Sequence, residues 1–218
     1  MDFAGAYSPN NLLYILEGFL VTIEVSLIAI VLSFIIGNIL GLIRFSKVPV
    51  LSKAVGVIVD VIRNVPLILI IFFVFFALPE IGIKMSIFAA ATSAITIYAS
   101  AMLCEIVRGG LNSIAKGQFE AARASGLTYV QTIRYIILPQ ALRRMIPPIL
   151  SECTSIFKGT SLAIVISLPD MMHHAQMIYN FNVKAVIPVL LLVSVLYFVV
   201  NYGLTRLANV VEKRLSVY

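Results

Sequence analysis

The sequence predicts an all-α membrane protein with five transmembrane helices, N-terminus outside and C-terminus cytoplasmic. Three observations carry that prediction. Of 218 residues, 61% are hydrophobic and 12% charged, against roughly 45–50% and about 25% in a globular domain. The mean hydropathy is +1.03. Such a chain has too little polar surface to cover a core in water, so lipid must be most of its solvent. Finally, the apolar residues come in runs of about 20, the helical length that crosses a bilayer core of roughly 30 Å.

The runs fall at about 19–43, 54–78, 85–107, 148–168 and 186–207. They are read as helices because a segment in hydrocarbon must satisfy its own backbone hydrogen bonds. A β-barrel would show alternating strands of about 10 residues instead. The opening MDFAGAYSPNN lacks a basic stretch and no small-residue cleavage site follows, so the first run is expected to be retained. Residues 1–218 thus read as one transmembrane domain.

Basic residues set the orientation. With the N-terminus outside, twelve of the 16 Lys and Arg fall on the inner side: Arg44, Lys47, Lys53, Arg108, Lys116, Arg123, Arg134, Arg143, Arg144, Arg206, Lys213 and Arg214. Only Lys84 and Lys184 fall outside, and Arg63 and Lys158 lie within runs. That split follows the positive-inside rule. The formal charge of +6 is therefore read as membrane orientation, and no nucleic-acid partner is expected. Cys104 and Cys153 sit in apolar runs as small fillers.

The long polar stretch, 108–147, reads RGGLNSIAKGQFEAARASGLTYVQTIRYIILPQALRRMIP. One helical piece is expected over Gly117–Ser125, broken by Gly126, and another over Thr128–Leu138, capped by Thr128 and ended or kinked by Pro139. Pro147 and Pro148 suit the first turn of the fourth span.

Glu120-Ala121-Ala122, then Gly126, then Ile136, Leu138 and Pro139 at fixed gaps resemble the EAA loop of bacterial ABC importer permeases. The flanks EIVRGGLNSIAKGQFEAA, IRNVPLILIIFF and KGTSLAIVISLPD are similar to the polar amino-acid permease family, as is Gly18-x3-Thr22-x3-Ser26. The resemblance implies the ABC type I importer permease fold, in a multi-pass protein of the bacterial cytoplasmic membrane. It also implies a second permease subunit, more readily an identical copy than a different chain, two cytoplasmic ABC ATPase subunits and an extracytoplasmic amino-acid-binding protein. Glu120, Ala121, Ala122, Gly126, Leu138 and Pro139 would then couple the chain to the ATPase. No G-x-x-x-x-G-K-[S/T] occurs, so the chain is expected to be no enzyme and to hold no cofactor, ATP and Mg being bound by the partner ATPase.

Ionisable groups inside apolar runs need a partner or a cavity. Asp60 with Arg63, and Glu105 with Arg108, can each neutralise one another at three residues' spacing. Glu17 and Glu24 lie toward the outer end of the first span. Glu152 has Pro148, Ile149, Ser155 and Ile156 as helical neighbours, none able to balance it. Relatives in the resembled family commonly carry Asn-Gln where this chain has Ser151-Glu152, which points to a cationic cargo: arginine, histidine or lysine. The expected substrate-binding residues are Glu152, Ser155, Leu67, Met102 and Glu105. Pro66 interrupts the second span beside Leu67 and frees backbone carbonyls, although the family usually has Gly-Thr where this chain has Asn64-Val65.

The alternatives are glutamine or another neutral polar amino acid as cargo, a proton-coupled secondary transporter, and a membrane adaptor that transports nothing. His173-His174 is read as part of a polar outer loop, and no metal ligand set is expected, because adjacent helical residues diverge by about 100°. Gly37-x-x-x-Gly41 can mark close helix packing.

Overall fold

The chain, in a computed structural model that describes residues 1–46 and 48–216, is a bundle of helices with no strand among the described residues. Lys47, counted above among the inner basic residues, lies outside the described residues.

A short turn α1 (Phe3–Ala6) is capped by the Asp2 carboxylate, which accepts from the Gly5 amide at 2.8 Å. The first long helix, α2 (Pro9–Ser46), starts ten residues before the expected span. At 1.5 Å per residue its 38 residues reach about 57 Å, well beyond a bilayer core. Glu17 and Glu24 are both exposed on it.

The second span is broken. Helix α3 (Pro49–Asn64) ends at Val65-Pro66, and α4 (Leu67–Ile81) departs at 106°. Proline explains the break: it cannot donate a backbone hydrogen bond, and it pushes the preceding residue into extended backbone, as Val65 shows at φ −99°, ψ 134°. Helix α5 (Ile87–Asn112) begins under a Ser86 cap and forms the most extensive helix pair of the bundle with α2.

Gly37 and Gly41 make that pairing possible. A Cβ on Gly37 would stand 2.5 Å from the Leu103 Cβ, and one on Gly41 2.6 Å from the Val107 Cβ. Two glycines a turn apart thus let two α5 side chains approach the α2 backbone.

After α6 (Lys116–Ala124), the chain enters a second helix of 38 residues, α7 (Tyr129–Ile166). Two sequence expectations need correction here. Pro139 does not end the helix, and Pro147 and Pro148 lie inside it rather than at its start. A wider π turn over Thr132–Ile137 precedes Leu138-Pro139. Such a turn already departs from the i→i−4 ladder that a proline would interrupt. The same device recurs in α4, where a π turn over Phe73–Ala77 precedes Leu78-Pro79. The fourth span is therefore continuous with the second half of the polar stretch.

Helix α8 (Met171–Phe181) and the last helix, α9 (Val186–Ser216), complete the chain. His173 and His174 sit on α8, not in a loop. The His174 ring is buried, stacks on Tyr14 with centroids 3.8 Å apart, and places Nδ1 2.6 Å from the Tyr14 carbonyl oxygen.

Candidate functional site: a coupling surface and a translocation path

The candidate coupling surface starts at α6. Its last turn closes on Gly126, whose φ of +84° lies in the left-handed region. The Leu127 amide donates to the Ala122 carbonyl at 3.2 Å and the Gly126 amide to the Arg123 carbonyl at 3.0 Å. This closure favours glycine because a Cβ is strained at that φ. Thr128 then caps α7, accepting from the Gln131 amide at 3.3 Å while the Gln131 carboxamide accepts from the Thr128 amide at 2.8 Å. Gly126 and Thr128 do what the sequence indicated.

The structure sorts the EAA-loop residues by exposure. Ala122 is buried, while Glu120 and Ala121 are exposed. Phe119 packs into a cluster of Phe45, Leu111, Ile137, Ala141 and Met145, so α6 rests jointly on α2, α5 and α7. Glu120 lines a cleft of roughly 430 Å³ with Phe45, Ile114, Lys116 and Tyr129. Leu138 is half-buried and Pro139 exposed, both in α7 just past the π turn. Arg144 Nη1 donates to the Ser113 carbonyl at 2.5 Å, tying the middle of α7 to the end of α5.

The expected substrate residues lie on three helices, α4, α5 and α7. Glu152 is half-buried in α7 and has no hydrogen bond or ion pair among the described residues. Among the described residues it therefore meets no cation from another helix. Ser155, one turn on, is exposed and donates to the Ser151 carbonyl at 3.3 Å. Leu67 begins α4 and lies 3.2 Å from where a Cβ on Gly159 would stand, which brings the broken span against the end of the α-helical part of α7. Met102 is half-buried on α5.

Glu105 sits in an ion cluster. Its Oε2 accepts from Arg44 Nη1 at 2.9 Å and from Arg108 Nε at 2.9 Å, and lies 3.8 Å from Arg63 Nη1. Arg108 also bonds its Oε1. Glu105 and Arg108 pair as the spacing suggested, but Asp60 and Arg63 do not: Asp60 lies 3.4 Å from Arg44. Sequence reasoning missed this cluster because Arg44 read only as an inner-side charge, and no local spacing links it to residues 60 and 105.

At the opposite end of α2, Asp170 is fully enclosed and caps α8, its Oδ1 accepting from the His173 amide at 2.9 Å. Beside it, Thr22 accepts from the Met171 amide at 3.2 Å. Asp170 Oδ2 has no partner. Desolvation pushes the Asp170 carboxyl up to about 6, against bonds from backbone amides that lower it.

Comparison with known proteins places this architecture. Residues 29–217 match the family described as binding-protein-dependent transport system inner membrane component. The chain is 56% identical over 216 residues to the probable glutamine ABC transporter permease protein GlnP of Bacillus subtilis (strain 168), covering 98% of this chain and 99% of that one. It is 37% identical over 207 residues to the probable glutamine ABC transporter permease protein GlnM of the same organism, covering 95% of each. Among solved structures, an amino acid ABC transporter crystallised with histidines superposes with a TM-score of 0.87 at 26% identity, covering 92% of this chain and 94% of that one.

Proposed function

Since this chain belongs to the family of binding-protein-dependent transport system inner membrane components and is a permease subunit of an amino-acid ABC importer, we propose that its cargo is glutamine or a similar neutral polar amino acid. The carrying observation is the 56% identity, across nearly the whole chain, to a relative named as a probable glutamine permease protein. Family members work in the inner membrane with a separate ATPase and a binding protein. ATP and its magnesium belong, in this reading, to that partner ATPase, which meets the chain at Glu120, Ala121 and the surrounding cleft.

An unpaired carboxylate fits a neutral cargo. Every amino acid carries an α-ammonium group, so Glu152 needs no cationic side chain to find a partner. A charge-assisted bond there is about twice as strong as a neutral one. The Ser155 hydroxyl, whose proton is engaged by the Ser151 carbonyl, keeps its oxygen free to accept from a side-chain amide. Leu67 and Met102 supply apolar walls.

A second reading keeps a basic cargo, with Glu152 on a guanidinium, imidazolium or ammonium side chain. The unpaired carboxylate and the solved relative crystallised with histidines favour it. Uptake by the whole importer in proteoliposomes separates the two. Labelled glutamine should enter and be displaced by excess unlabelled glutamine but not by arginine or histidine. Uptake of arginine alone would reverse the assignment. Glu152→Gln should lower uptake by tenfold or more, about 1.4 kcal/mol or above, under either reading. Undiminished uptake would remove Glu152 from the path.

The second permease subunit is better read as a different chain than as an identical copy. Two relatives in one organism, 56% and 37% identical to this chain, both bear glutamine permease names.

A further inference from the structure

The ion cluster around Glu105 joins three helices through one carboxylate. Arg44 comes from α2, Arg63 and Asp60 from α3, and Glu105 and Arg108 from α5. Arg44, with 13% of its side chain exposed, is shared between Glu105 at 2.9 Å and Asp60 at 3.4 Å. Removing one member of a partly buried cluster leaves the others uncompensated, so such a cluster resists piecemeal opening.

Its position matters as much as its strength. On one side it adjoins the coupling surface. Phe45, next to Arg44, packs with Phe119 of α6, and Arg108 lies in the helix whose end Arg144 ties to α7 through Ser113. On the other side it holds the last turn of α3. Asp60 and Arg63 precede the Val65-Pro66 break by only a few residues, and beyond that break the axis turns through 106° into α4 and Leu67. The rest of α3 is held weakly: Val50, Leu51, Val57, Ile58 and Val61 are exposed, and only Gly56 and Val59 are buried.

We propose that Glu105 is a positioning residue that makes the last turn of α3 follow α2 and α5, so that displacement of the coupling helix reaches the Val65-Pro66 elbow and the Leu67 wall of the path. Without it, α3 keeps its apolar contacts but slips relative to the two helices that carry the coupling surface. ATP hydrolysis then proceeds while the elbow lags. This rests on the importer reading of the chain and is independent of which amino acid is carried.

The measurement is the number of amino acids taken up per ATP hydrolysed, made on the whole importer in proteoliposomes and normalised to assembled complex. Glu105→Gln should lower that ratio by about tenfold, and Glu105→Asp, which keeps the charge, should recover most of it. A purely structural role would lower uptake and hydrolysis together and leave the ratio intact. Arg63→Gln decides the matter if Glu105→Gln does not assemble. It removes only the 3.8 Å contact of a side chain that is 35% exposed, and the ratio should fall about threefold. A ratio within twofold of the parent in every assembled variant overturns the proposal. A parent complex with no substrate-dependent ATP hydrolysis at all would instead overturn the importer reading.

Discussion

Asp170 shows what a single enclosed carboxyl does to pH dependence. Desolvation raises it from 3.8 to about 6 in the folded chain. Between those two values the native state keeps a proton that the unfolded state has released. Its contribution is therefore present at pH 4 and lost as pH rises through about 6. The whole span amounts to at most about 3 kcal/mol at 1.36 kcal/mol per unit. The apparent Tm of the detergent-purified chain should fall between about pH 4 and pH 7 and stay level above that. Asp170→Asn, which can still cap α8, should flatten at least half of that slope. An unaltered slope would assign the pH dependence to other groups. Residues read well from sequence where the reasoning was local. Glu152 could be seen to lack a helical partner, and the structure supplies none from elsewhere. Glu105 and Asp60 could not be read that way, because Arg44 stands 61 and 16 residues from them.

Among the elements, the α2–α5 pair is the most sensitive to volume. Leu103 and Val107 occupy the space where Gly37 and Gly41 would carry side chains. Gly41→Leu forces those backbones apart and should cost about 1–3 kcal/mol, as overpacking does. Gly203→Ala, with open space around it, should change the apparent Tm little, and thermal melts of both variants in detergent check this contrast. If the two variants melted alike, the close approach would carry no energetic weight. Elements were legible where local chemistry decides them: the Gly126 turn, the Thr128 cap and the proline break at residue 66. They are not legible at Pro139, Pro147 and Pro148, where the helix runs on through residues that usually bound one. Two π turns, each before a Leu-Pro pair, show that a helix can change its winding and continue.

For the whole molecule, α6 and α8 lie at opposite ends of α2. Gly18 packs against Asp170 at one end, and Phe45 meets α6 at the other. The 27 residues between them span roughly 40 Å, more than a bilayer core. Cysteines introduced at the exposed positions Lys116 and Phe181 should label from opposite sides of the membrane. With the basic-residue bias setting the sign, Phe181→Cys should react with an impermeant reagent on intact cells, and Lys116→Cys only after permeabilisation. The reverse pattern would invert the orientation expected from sequence. Composition and run length disclosed the class of molecule. The continuity of α7 stayed hidden, because its polar first half resembles a loop.

That continuity has a geometric result. A stiff rod of 38 residues, about 57 Å long, magnifies any rotation applied near one tip. Swinging it by about 10° sweeps the far tip through roughly 10 Å, close to the width of a helix with its side chains. A modest twist at one tip thus displaces the other by about the width of a helix.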